Sequence, residues 1–251
     1  MTPVIKWPQR WPEPAGLPGA NEIHLWQTDL DEAPAAGGIL FRTLSSSEQE
    51  RARRFVFEEH RRRYLATRAW LRSVLGAYLN LSSPAVPLAA NAHGKPCLAA
   101  EANRAGLQFN LSHCDRRALL AVTTGPEIGV DWQGVLRDAA WPAVAGRCCT
   151  PDEREHIQAL PPAMRAPAFA EIWTRKEAAG KATGEGLTSR IFSIAVGPAS
   201  WGMVDCGGGL LVWSLAAQDR LTAALAVQQP LCGGVKAPAG SRNWFPKTVP
   251  R

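Results

Sequence analysis

Apolar positions in this chain alternate with polar ones in several short runs and recur every three to four residues in a few longer ones, the periods of strands and helices. Residues 22–30, with Ile23 and Leu25 alternating, predict a short strand. Ser45-Ser46-Ser47-Glu48 has the spacing of a capping box and opens a basic helical region that reaches Leu79, interrupted near residues 58–60. Tyr64, Leu71, Leu75 and Tyr78 fall on one side of that helix, and Ser82-Ser83-Pro84 ends it. Strand-like runs follow at 107–112, 118–123 and 127–132. A helix over 151–160 carries acidic residues in its first turn, where the helix dipole favours them. A stronger helix spans 168–183, with Phe169, Ile172, Trp173 and Ala179 inward and Gly184 and Gly186 as the stop. Three more strand-like runs cover 190–196, 209–215 and 222–228.

Helix followed by three strands thus occurs twice, which predicts an α+β chain of two similar halves, each a helix packed on a small antiparallel sheet. The boundaries this suggests are a Pro-rich extended arm at 1–20, an N-terminal half at 21–133, a C-terminal half at 134–230 and a disordered tail at 231–251. No residue-level repeat supports the duplication, which rests on element order.

With 251 residues and 46% apolar content the chain can bury a sizeable core. Its formal charge of +6 favours an anionic partner, whether nucleic acid, a phosphorylated cofactor or an acidic protein surface. The six cysteines show no metal-binding spacing, and residues 1–19 have no continuous apolar stretch of the kind a secretory signal needs. Reduced thiols, a cytoplasmic location and no membrane span are expected.

The chemistry concentrates in Trp173-Thr174-Arg175-Lys176-Glu177-Ala178-Ala179-Gly180-Lys181. On a helix, Trp173, Glu177 and Lys181 share one face. Upstream, Gly129-Val130-Asp131-Trp132-Gln133 reads as a strand with Asp131 and Gln133 on one side. Two carboxylates and an amide oxygen near a lysine suit Mg²⁺ bound against a diphosphate. The plain alternative is a strand-end aspartate and a surface Glu177–Lys181 pair worth about 0.3–0.5 kcal/mol.

Several of these segments occur together and in order. Gly94-Lys95-Pro96, Asn110-Leu111-Ser112-His113, Gly129-Val130-Asp131, the 173–181 run and Gly184-Glu185-Gly186-Leu187 resemble the signature motifs of Sfp-type 4′-phosphopantetheinyl transferases over about residues 40–195. The resemblance implies two pseudo-symmetric α+β halves with an active site between them. It also implies transfer of phosphopantetheine from coenzyme A to a serine of an apo acyl or peptidyl carrier protein, with Mg²⁺ and release of 3′,5′-ADP. Asp131 and Glu177 match the metal ligands and Lys181 the lysine that balances diphosphate charge. Arg63, Lys95 and His113 match contacts to the 3′-phosphoadenosine, and Ser112 pairs with His113. The serine would lose its proton to Glu177 or to a hydroxide on the metal. A monomer acting in fatty-acid, polyketide or nonribosomal-peptide biosynthesis is implied, with no role for nucleic acid or a membrane.

Gln133 departs from the pattern, which has Glu there; an amide offers a carbonyl oxygen but one negative charge fewer. A working two-carboxylate enzyme is the favoured reading, with a coenzyme A-binding pseudoenzyme as the alternative. Arg51, Arg53, Arg54, Arg61, Arg62, Arg63, Arg68 and Arg72 raise a third possibility, a non-catalytic nucleic-acid-binding protein using that helix.

Overall fold

A computed structural model describes residues 4–6, 16–32, 37–91, 94–134, 141–215 and 221–229. Most of the expected Pro-rich arm and the whole of the expected C-terminal tail lie outside these residues. In chain order the elements are β1 (Val4–Lys6), β2 (Glu22–Asp29), α1 (Gly37–Arg42), α2 (Ser46–Arg53), α3 (Glu58–Leu79), β3 (Leu88–Ala90), β4 (Pro96–Leu98), β5 (Leu107–Cys114), β6 (Arg117–Thr124) and β7 (Glu127–Gly134). After these come α4 (Trp141–Cys148), α5 (Pro151–Ala159), α6 (Pro162–Thr183), α7 (Ser189–Ser193), β8 (Val204–Asp205), β9 (Leu210–Leu215) and β10 (Leu221–Gln228). This is the α+β class expected, helices with largely antiparallel sheets.

The chain divides into two compact units between Gly125 and Pro126, eight residues before the boundary expected after Gln133. The cause is strand pairing. β7 leaves β6 through a two-residue turn, yet it pairs along its whole length with β10, from Glu127 opposite Gln228 to Gly134 opposite Leu221. Asp131 and Gln133 therefore belong to the C-terminal unit, together with Glu177 and Lys181.

In the N-terminal unit the sheet runs β1-β2-β6-β5, with β1 parallel to β2 and the other pairs antiparallel. Helix α3 covers it. Trp70, Leu71, Val74, Leu75 and Tyr78 pack with Trp26, Leu107, Phe109, Leu120 and Val122. Tyr78 also ties helix to strand through its hydroxyl, which takes the Trp26 indole N–H at 2.9 Å and bonds His24 Nδ1 at 2.7 Å. Burial pushes that phenol up to about 12. The helical region is interrupted at residues 54–57, close to where the sequence suggests, and the capping box forms: Ser45 and Glu48 cap α2 reciprocally. Glu48 then does more than cap. Its buried carboxylate takes Arg72 Nε at 2.6 Å and Arg68 Nε at 2.6 Å, joining α2 to α3.

The C-terminal unit has sheet order β7-β10-β9-β8, with α6 lying across β7, β10 and β9. Phe169, Ile172, Ala178, Ala179 and Ala182 of α6 meet Leu210, Val212, Ala224 and Ala226 of the sheet. Two expectations need correction here. Helix α6 starts at Pro162 and runs through Pro167, which forfeits one backbone bond near the N-terminus without breaking the helix. Residues 190–196 are no strand: Thr188 caps the Ile191 amide, and a short helix turns Ile191 into the core. The β3–β4 hairpin, α1 and α4 were not expected at all. Gly184, at φ 73°, closes α6 in the left-handed conformation.

Candidate active site

The central residues come from one strand and one helix. Asp131 sits on β7 with its side chain almost fully buried, and Lys181 Nζ reaches it at 2.6 Å (to Oδ1) while donating to the Val130 carbonyl at 3.2 Å. Glu177 lies one turn before Lys181. Burial raises its pKa, the charge of Asp131 raises it further, and Lys181 partly offsets both. Two carboxylates and an ammonium therefore share one locality. Gln133 is on the same strand face as Asp131, opposite Thr222. Its backbone carbonyl accepts from the Thr222 hydroxyl at 3.4 Å.

That donor set fits Mg²⁺ in one specific sense. Among the described residues no group of three or more His, Cys, Asp or Glu side chains is arranged to hold a metal. Mg²⁺ commonly takes only one or two carboxylates and completes its shell with water and phosphate oxygens. Two adjacent acids, one with a raised pKa caused partly by the other, are a pair that a divalent cation would relieve.

The neighbouring members of the same motif face elsewhere. Lys176 is fully buried and pairs with Glu153 at 3.0 Å, also donating to the carbonyls of Ile194 at 2.6 Å and Phe192 at 3.2 Å. Glu153 in turn accepts the amides of Thr150, Val196 and Gly197. Arg175 donates to the carbonyls of Pro198, Gly202 and Val212, and burial lowers its pKa to about 10. These two cations pin residues 192–212 to α6. Their charge signals chemistry in the sequence, but their role is scaffolding.

In the N-terminal unit, Arg63 on α3 is held by a fork onto Asp31, Nε to Oδ1 at 3.2 Å and Nη2 to Oδ2 at 3.1 Å, with Glu59 at 2.9 Å. The sequence offers no local sign of that partner. The charge of Asp115, in the turn just after β5, also reaches Arg63. Ser112 and His113 lie near the end of β5, just before Cys114, the serine buried and the histidine exposed. Lys95 occupies a separate hairpin turn, its amide bonded to Asn91 Oδ1 at 2.9 Å. Much of the arginine cluster is engaged internally: Arg61 with Glu58, Arg62 with Asp31, Arg68 and Arg72 with Glu48, and Arg51 and Arg53 over the rings of Tyr64 and Phe41. The described cysteines are free thiols, the Cys148 and Cys149 sulfurs 4.0 Å apart.

A strand-borne aspartate thus meets a helix-borne lysine one turn after a second carboxylate, and comparison with known proteins shows what kind of protein carries them. A family model described as the 4′-phosphopantetheinyl transferase superfamily matches residues 127–214, and one described as the 4′-phosphopantetheinyl transferase N-terminal region matches 33–125. The chain is 37% identical to the 4′-phosphopantetheinyl transferase HetI of Nostoc sp. over 209 residues, covering 83% of this chain and 88% of HetI. It is 33% identical to AcpT of Escherichia coli strain K12 over 49% of this chain and 58% of that protein. Against Sfp of Bacillus subtilis strain 168 it is 26% identical over 61% and 66%. The chain belongs to the 4′-phosphopantetheinyl transferase family and is a transferase of that kind.

Proposed function

We propose that this transferase moves the 4′-phosphopantetheine group of coenzyme A to a serine hydroxyl of an apo acyl or peptidyl carrier protein, releasing 3′,5′-ADP. The observation that carries the reading is the meeting of Asp131 with Glu177 and Lys181 on the family's own motifs. Asp131 and Glu177 are the residues that would hold Mg²⁺, with the Gln133 side chain as a further oxygen donor. Bound there, the ion would neutralise diphosphate charge and make the β-phosphorus more electrophilic. Glu177 is the chain's own candidate to take the serine proton as the serine oxygen bonds to that phosphorus. As the bond to 3′,5′-ADP breaks, the Lys181 ammonium balances charge on the departing phosphate. Arg63, Lys95, Ser112 and His113 are assigned to the 3′-phosphoadenosine. For Arg63 this means exchanging Asp31 for phosphate, a swap between two oxyanions that its planar fork accommodates. Engagement of the arginines by carboxylates and rings supports this reading over a nucleic-acid binder. The free thiols accord with action in the cytoplasm, where we place the protein as a monomer.

The test is intact-mass spectrometry of apo carrier proteins from fatty-acid, polyketide and nonribosomal-peptide systems, incubated with the protein, coenzyme A and Mg²⁺. A phosphopantetheine adduct on at least one carrier, lost on chelation, is expected. No adduct on any carrier would refute the proposal.

A further inference from the structure

Gly129 is two residues before Asp131 on β7, on the face that meets α6. A Cβ placed there would lie 2.9 Å from the Lys181 carbonyl carbon, and closer still to the Ala178 carbonyl oxygen and the Ala182 nitrogen. All three are helix backbone atoms, which cannot rotate away as a side-chain tip would. Strand and helix approach more closely here than any other residue type permits. Ala178, Lys181 and Ala182 surround the turn that carries Glu177 and Lys181, so this contact governs how far those side chains stand from Asp131.

We infer that Gly129 is a positioning residue for the acidic site: its missing side chain sets the strand-to-helix gap that lets Asp131 and Glu177 act on one cation. The inference rests on the reading of those two residues as Mg²⁺ ligands. A methyl group at 129 would part β7 from α6 by roughly 1 Å, because non-bonded carbon contacts need ordinary van der Waals separation. That displacement is close to the reach one methylene adds to a side chain, so Asp131→Glu should compensate for it.

The experiment titrates Mg²⁺ into the folded protein with coenzyme A by calorimetry, alongside thermal unfolding. Gly129→Ala should bind Mg²⁺ about 10–100-fold more weakly, the range seen when support around a metal ligand is lost. Gly129→Ala/Asp131→Glu should recover part of that affinity. Asp131→Glu alone should bind more weakly than the native protein, because the native gap has no room for the longer side chain. Gly76→Ala controls for general damage: its Cβ would meet the Leu81 carbonyl oxygen at 2.6 Å, in the other unit. It should lower the Tm and keep native Mg²⁺ affinity. Native affinity in Gly129→Ala, no recovery in the double variant, or an equal loss in Gly76→Ala would overturn the inference. If Gly129→Ala does not fold, Asp131→Glu alone decides: weakened binding supports the inference and native binding overturns it. Glu177→Gln separates the two levels. If it binds Mg²⁺ like the native protein, the ligand reading itself fails. If it loses affinity while Gly129→Ala does not, only the role of Gly129 fails.

Discussion

Lys176 and Glu177 are adjacent in one motif, yet the structure gives them opposite tasks, and Lys176→Met tests that division. In the native protein the Lys176 ammonium has zero exposure and three partners, the Glu153 carboxylate and the carbonyls of Phe192 and Ile194. Methionine fills similar volume but leaves Glu153 charged without its counter-ion and two carbonyls without their donor. Removing one member of such a buried pair costs about 3–5 kcal/mol. For a chain of this size that corresponds to a Tm lower by roughly 10 °C. Urea unfolding gives the free energy, and the Lys176→Met/Glu153→Gln double variant gives the coupling. Glutamine keeps an oxygen for the Val196 and Gly197 amides, which share Oε1, and removes the stranded charge at the loss of the Thr150 contact. The double variant should therefore be more stable than the summed single effects by at least about 1 kcal/mol. At a temperature where Lys176→Met is folded, its Mg²⁺ affinity should match the native protein. A cost below about 1 kcal/mol, or strict additivity, would refute the reasoning.

Other expectations are narrower. Arg63→Ala should raise the KM for coenzyme A while leaving that for dephospho-coenzyme A, which lacks the 3′-phosphate, nearly unchanged; equal effects on both would remove Arg63 from that contact. Gln133→Glu adds a carboxylate beside Asp131 and should tighten Mg²⁺ binding measured by calorimetry, whereas no change would place the Gln133 side chain outside the site. Glu177 must lose its proton to bind a cation, so Mg²⁺ affinity should fall as pH drops through its raised pKa. Lys181 holds that pKa down, so Lys181→Met should move the acid limb of Mg²⁺ binding to higher pH. A limb that stays put or moves lower would contradict the electrostatics.

Local patterns made the helical cores of α3 and α6 legible, and the capping box at Ser45–Glu48 fixed a helix start to the residue. The misread pieces are short or non-local. Residues 190–196 have a strand's composition, but the Thr188 cap and the inward pull of Ile191 decide for a helical turn. β3 and β4, three residues each, are too brief for a period of two to register. The compact units divide eight residues before the expected boundary because pairing between β7 and β10 joins segments almost a hundred residues apart, which no window along the chain can see. The nearness of the two acids and Lys181 is readable from motif and spacing, and so is the close backbone approach that a glycine inside a strand marks. The Asp31 fork on Arg63 and the burial of Arg175 and Lys176 have no counterpart in local sequence, since a buried and an exposed cation look alike there.

The central claim, that Asp131 and Glu177 together serve the transfer, is most directly tested by the single-turnover rate of Glu177→Ala under saturating coenzyme A, Mg²⁺ and apo carrier protein, with circular dichroism confirming the fold. A rate at least about a thousandfold below native is expected, since removing a group that acts on developing charge costs roughly that much. A folded Glu177→Ala protein that modifies the carrier at the native rate would contradict the account.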